Sequence, residues 1–141
     1  MLKAANPNIK LPWYQAMDRG DLSPFGTQQI MAHPSWWLRD DNGNVVWFGG
    51  EVGKHPVLDT TVPAVQQWFV HWAESHFANS SEFPALVDGI FFDGCGLNTY
   101  PNMSDARLVK LFEGRMQVLR IVQDYYNQVN GGDVWWCVMN K

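Results

Sequence analysis

The 141 residues carry ten Lys and Arg against fourteen Asp and Glu, a formal net charge of −4, and 46% of them are hydrophobic. An acidic chain without a basic stripe is a poor match to phosphate backbones, so nucleic acid is not an expected partner, and the apolar share describes a globular chain rather than a disordered one. No run approaches the ~18 apolar residues of a membrane helix, the first twenty residues do not read as a signal peptide, and the length suits one domain.

In chain order, Asn8–Gln15 reads as a short strand, weakened by Pro12, which cannot donate to a ladder. Asp18–Pro24 is turn-like, and Gln28–Ala32 is a short helix stopped ahead of Pro34. Trp36 to Arg39 and Val45 to Phe48 are read as the arms of a hairpin, because the intervening Asn42-Gly43 favours the positive-φ positions of a tight turn. A turn role is therefore expected for Asp40 and Asp41. His55–Asp59 is a further strand. Thr60 or Thr61 is expected to cap a helix with Pro63 in its first turn. On that helix Val65, Trp68, Phe69, Trp72, Ala73, His76 and Phe77 recur on one face, and Asn79–Glu82 is a polar connection.

Leu86–Asp93 is the clearest buried strand, almost continuously apolar as in a parallel sheet covered on both faces. Alternation puts Val87, Gly89, Phe91 and Asp93 on one face and Asp88, Ile90 and Phe92 on the other. Gly94-Cys95-Gly96 makes a tight exit. Ser104 is expected to cap a long helix with Leu108, Leu111, Phe112, Leu119, Val122, Tyr126 and Val129 on its apolar face, stopped by Asn130-Gly131-Gly132. Val134–Val138 is a last strand. Strands alternating with helices imply a parallel α/β sheet, here with four core strands. Such a chain fits a small open sheet or part of a barrel. With an apolar parallel strand at the very end of the sequence, and a whole barrel needing about 250 residues, the expectation is one domain over residues 1–141 that forms an incomplete (β/α)8 TIM barrel.

In parallel α/β sheets, reactive groups gather at the C-terminal ends of strands. Tyr14-Gln15, Asp59, Asp93 and Asn140 occupy such ends. Asp93 is the leading candidate, with glycines behind it that leave room for a ligand. Asp59 has two open readings: the second carboxylate of an acid/base pair, or the start of the helix that follows. Asp88 is expected to accept backbone N–H groups at the strand start. Cys95 and Cys137 are read as buried free thiols, a disulfide being the alternative. His33, His55, His71 and His76 show no metal-ligand spacing, and neither a phosphate loop nor a GxSxG elbow is present. Eight Trp and 14% aromatic residues supply core bulk or flat surfaces on which sugars stack.

Three stretches in this order carry a resemblance: Trp37-Leu38-Arg39-Asp40 with Asn42-Gly43 and Val45; Leu58-Asp59-Thr60-Thr61-Val62-Pro63-Ala64-Val65; and Val87-Asp88-Gly89-Ile90-Phe91-Phe92-Asp93. Together they resemble TIM-barrel glycoside hydrolases of the hypothetical glycosyl hydrolase type, similar in outline to polygalactosaminidase-like barrels, over about residues 6 to 140. The resemblance implies hydrolysis of O-glycosidic bonds in a polysaccharide or oligosaccharide by carboxylate acid/base catalysis. It implies Asp93 and Asp59 as catalytic carboxylates, Asn140 as a polar site residue, and a further catalytic carboxylate on a later strand. Val62 departs from the pattern, standing where a capping Asn or Asp is more usual. Trp13, Tyr14, Gln15, Trp36 and Trp37 are the substrate-binding candidates. Carbohydrate is the expected partner, with no membrane, cofactor or metal. The alternative is a non-catalytic carbohydrate-binding or inactive barrel fragment.

Overall fold

The computed structural model describes residues 5–6, 8–9, 12–20, 23–50, 52–74, 89–130 and 135–138. Strands β1 (Pro12–Ala16), β2 (Gly89–Asp93) and β3 (Trp135–Val138) form a parallel sheet in the order β1-β2-β3. The register sets Tyr14 beside Phe91, Ala16 beside Asp93, and Phe91 beside Cys137. The alternation expected for β2 holds: Ile90 and Phe92 are buried, whereas Phe91 and Asp93 are half-buried.

Three helices are described: α1 (Pro24–Met31), α2 (Pro63–Ala73) and α3 (Asp105–Asn130). Val65, Trp68, Phe69, Trp72 and Ala73 of α2 are buried at helical spacing, and Leu108, Leu111, Val118 and Val122 are buried along α3. Ile90 and Phe92 share one core cluster with Trp68, Phe69, Val118 and Val122, so both long helices cover the same face of β2. Full burial of an aliphatic or Phe side chain contributes roughly 1.5–3 kcal/mol, and this layer is the main source of stability. The opposite face carries Tyr14, stacked on Phe91 at 5.9 Å, and ends at Asp93. Among the described residues, no helix is long and apolar enough to cross a membrane.

Several local expectations are corrected. His55–Asp59 is not a strand of the parallel sheet. It makes isolated antiparallel bridges, Trp47 with Pro56 and Trp37 with Leu58. Pro56 has no N–H to give a ladder, and the hairpin arms take up the backbone beside it. Leu38 N–H donates to Val57 O, Val57 N–H to Val46 O, and Val46 N–H to Leu38 O. This ring of three bonds encloses a second apolar cluster of Leu38, Val46, Val57 and Leu111. The described residues thus hold three parallel strands where four were expected. Helix α1 starts four residues earlier than the sequence suggests, because the Ser23 hydroxyl caps it by accepting from Gly26 N–H at 3.1 Å and Pro24 occupies its first turn.

Neither threonine caps α2. Its N-cap is Val62, which makes no side-chain cap bond, with Pro63 following as expected. The Thr60 hydroxyl instead donates to Leu111 O of α3 at 3.0 Å, and Thr61 bonds Asp59. The Asn42-Gly43 turn forms, with Gly43 at φ 84° and a bridge between Arg39 and Val45. Leu86, Val87, Asp88, His76, Phe77, the Asn79–Glu82 connection, Gly131, Gly132, Val134 and Asn140 lie outside the described residues.

Candidate active site

Asp93 closes β2 at its C-terminal end. Its Oδ2 accepts from the Tyr14 hydroxyl at 2.9 Å and its Oδ1 from Gly94 N–H at 2.8 Å. Both oxygens are therefore oriented, which presents the group as an acceptor. Desolvation of the Tyr14 ring, then the bond to Asp93 and its charge, push the Tyr14 phenol above its ordinary pKa. Tyr14 reaches Asp93 because positions 14 and 91 are register partners, so its side chain and that of Asp93 rise from the same face.

A second carboxylate stands beside the first. β1 ends at Ala16, the partner of Asp93, and Met17 N–H donates to Asp93 O at 2.8 Å. Two residues past the strand end, Asp18 is only 5% exposed. Arg19 Nε donates to its Oδ1 at 3.3 Å, and the Arg19 guanidinium lies over the Phe48 ring at 3.9 Å. Burial raises the Asp18 pKa above the usual carboxylate value, against the opposing pull of Arg19 and Arg115. Gly94 links the two acids. It adopts φ 72°, and a Cβ built on it would stand 3.0 Å from Asp18 Cγ. A side chain here would collide with Asp18 and be strained in the left-handed region. Since Gly94 N–H also holds Asp93, the two carboxyl groups are no more than roughly 8 Å apart.

Both acids line a cleft of about 720 Å³, walled by Trp47, Phe48 and Tyr100 and by the loop after β2. Asp40 also lines it, but its oxygens are occupied. Oδ1 accepts from Asn42 N–H at 3.0 Å and Asn44 N–H at 2.8 Å, and Oδ2 from the side-chain amides of Asn44 and Asn102, each at 3.3 Å. Desolvation works against its charge, yet these bonds outweigh it and hold the Asp40 carboxyl below the usual range. Asp40 is thus a turn residue, as its Asn-Gly context suggests.

The loop after β2 is pinned from α3. Arg115 is buried, donating through Nη1 to Gly96 O and through Nη2 to the Tyr100 hydroxyl at 2.8 Å, while its Nε has no protein partner. Cys95 is a buried free thiol, pushed up to about 12 by burial despite the nearby Arg115 charge.

The other expected site residues fall elsewhere. Asp59 does not share the cleft. Its Oδ1 accepts from Thr61 N–H at 3.0 Å and the Thr61 hydroxyl at 2.5 Å, and it borders a smaller hollow of about 360 Å³ with Ser104, Arg107 and Lys110. Trp36 stacks on His33 at 4.2 Å and tilts against Trp68. Trp37 donates through Nε1 to Ile30 O at 2.9 Å. Both tryptophans pack against the main core. Gln15 is buried and donates to Ala16 O, and Trp13 is partly exposed on β1. Asp18, Arg115, Trp47, Phe48 and Tyr100 were not among the sequence candidates. Asp18 is detectable once β1 is extended through Ala16 to the edge where Asp93 sits. Arg115 is detectable from its spacing with Leu111, Val118 and Val122 on a single helical stripe.

Among the described residues, no three His, Cys, Asp or Glu side chains gather as a metal site. Comparison of the chain with protein-family models and with curated proteins finds no match.

Proposed function

We propose that this chain is glycoside hydrolase-like, part of a (β/α)8 barrel that hydrolyses O-glycosidic bonds of an oligosaccharide or polysaccharide, with Asp93 acting at the anomeric carbon. The observation that carries the reading is Asp93 itself. It stands at the C-terminal end of a parallel strand, with both oxygens oriented by Tyr14 and Gly94, in a cleft with aromatic walls. Glycosidases need a carboxylate fixed beside the scissile bond and a second one about 5–9.5 Å away, and Asp18, no more than roughly 8 Å from Asp93, lies within the upper limit of that range. Aromatic rings on the walls suit the apolar C–H faces of sugars.

The winding supports the barrel. Strands adjacent in space follow chain order, and both long helices lie on one face of β2. Barrels are wound in this way, whereas doubly wound sheets reverse their strand order at a switch point. The face bearing Tyr14, Phe91 and Asp93 is then the one that turns inward.

The test is turnover of a panel of 4-nitrophenyl glycosides and soluble polysaccharides by the wild-type chain and by Asp93→Ala. Release of nitrophenol or reducing ends by the wild type, absent in the variant, is the expected result. Carbohydrate binding without any release by the wild type would overturn the enzyme reading in favour of a binding module.

A further inference from the structure

Among the described residues three carboxylates line the cleft, and their surroundings separate them. Asp40 is consumed by four donors from Asn42, Asn44 and Asn102. Asp93 is oriented as an acceptor by Tyr14 and Gly94. Asp18 remains, nearly buried and packed against the bare Cα of Gly94 at the same edge of the sheet.

We propose that Asp18 is the catalytic acid of this cleft, the group that protonates the departing glycosidic oxygen. The assignment rests on the glycosidase reading above and names its second carboxylate, in the turn just past the strand beside Asp93 rather than on a later strand. As the bond between the anomeric carbon and the glycosidic oxygen breaks, its electron pair goes to that oxygen, which takes the Asp18 proton and leaves as an alcohol. One water supplies the new oxygen at the anomeric carbon. The proton that water loses ends on a carboxylate of the pair and returns to Asp18 through solvent. Atoms and charge balance without any further reactant.

The geometry suits both halves of this cycle. Desolvation favours the protonated form of Asp18 before the transfer, against the opposing pull of Arg19 and Arg115. Arg19, whose Nε lies 3.3 Å from Oδ1 and whose guanidinium is held over Phe48, meets the charge that Asp18 acquires afterwards. The other titratable groups facing Asp18 are Arg115 from α3, Tyr14 from β1, Cys95 and Asp93 from β2 and its exit, and Asp40 across the cleft. Arg115 acts with Arg19 in opposing the shift that burial imposes on Asp18.

The experiment compares two probes with the same sugar, chosen as one the wild type cleaves. A 2,4-dinitrophenyl glycoside departs without protonation, and a 4-methylphenyl glycoside requires it. Asp18→Asn is expected to lose ~10²–10⁴-fold in kcat/KM on the methylphenyl probe but only about tenfold or less on the dinitrophenyl probe. An alkaline fall in rate is expected of the wild type with the methylphenyl probe and should be absent in the variant. Equal losses on both probes, or none on either, would overturn the assignment. The wild type gives an independent answer should the variant not fold: an alkaline limb with the methylphenyl probe alone supports Asp18, and the same limb with both probes contradicts it. If the wild type cleaves no glycoside, the glycosidase reading falls and takes this inference with it. If Asp93→Asn abolishes turnover while Asp18→Asn shows no dependence on the leaving group, only the role of Asp18 is lost.

Discussion

Gly114→Ala sets helix propensity against packing. In an exposed helix interior the change stabilises by ~1 kcal/mol. Here α3 crosses the Thr60–Thr61 turn so closely that the new methyl carbon would stand 2.6 Å from Thr60 O, 2.7 Å from Thr60 C and 2.9 Å from Thr61 N. All three are backbone atoms, so no flexible side chain yields. Overpacking of this kind costs ~1–3 kcal/mol, and more where the neighbour is rigid. Any retreat of α3 also stretches the 3.0 Å bond from the Thr60 hydroxyl to Leu111 O, worth about 0.5–1.5 kcal/mol. The two costs together exceed the propensity gain, leaving a net loss of roughly 1–3 kcal/mol. Urea denaturation followed by circular dichroism reads this as a lower midpoint with an unchanged slope. A raised midpoint would refute the close docking of α3 on the turn before α2.

Other consequences follow from the same site. Because burial raises the Asp18 pKa, the stability linked to its protonated form is complete below the unfolded value of about 3.9 and is lost as pH rises through the folded value. Asp18→Asn is therefore expected to be at least as stable as the wild type at pH 7 and equal to it at pH 3. Urea melts at the two pH values check this, and a variant equally destabilised at both contradicts it. Arg115→Met keeps the aliphatic bulk but removes the donors to Gly96 O and Tyr100. Amide hydrogen exchange over Gly96–Tyr100 should accelerate, with a stability loss of roughly 1.5–3 kcal/mol for a charge-assisted bond. The Cys95 thiol, held at about 12, should resist iodoacetamide at pH 8 until the protein unfolds. Peptide mapping of Cys95 reads the result, and rapid native labelling would contradict its burial.

What the sequence revealed tracks how local the signal was. The alternation of Ile90–Asp93 and the helical stripe of Val65, Trp68, Phe69 and Trp72 depend on periodicity alone, and both appear as expected. The Asn42-Gly43 turn depends on the backbone freedom of one glycine, and it appears too. His55–Asp59 was misleading because an apolar run looks the same whether its partner is a parallel strand or a pair of hairpin arms. Thr60 has the chemistry of a helix cap, but a backbone carbonyl of α3, 51 residues away in sequence, claims its hydroxyl. The candidate site divides in the same way. Asp93 was legible from its place at the end of an apolar strand. Asp18 was not, because it lies in a turn beyond a strand whose end, at Ala16, is set by pairing with Asp93. Trp36 and Trp37 offered flat aromatic surface as sugar platforms, yet Trp68, His33 and the Ile30 carbonyl engage them. The cleft walls come instead from Trp47, Phe48 and Tyr100, which two segments far apart in sequence bring together.

The most direct test of the account is the turnover of Asp93→Asn, normalised to the folded fraction and measured beside its affinity for the same sugar. Asn preserves the shape of Asp and can still meet Tyr14 and Gly94, but it neither takes up a proton nor attacks an anomeric carbon. The expected result is a rate lowered by ~10²–10⁴-fold with sugar binding retained. Turnover close to that of the wild type would contradict it.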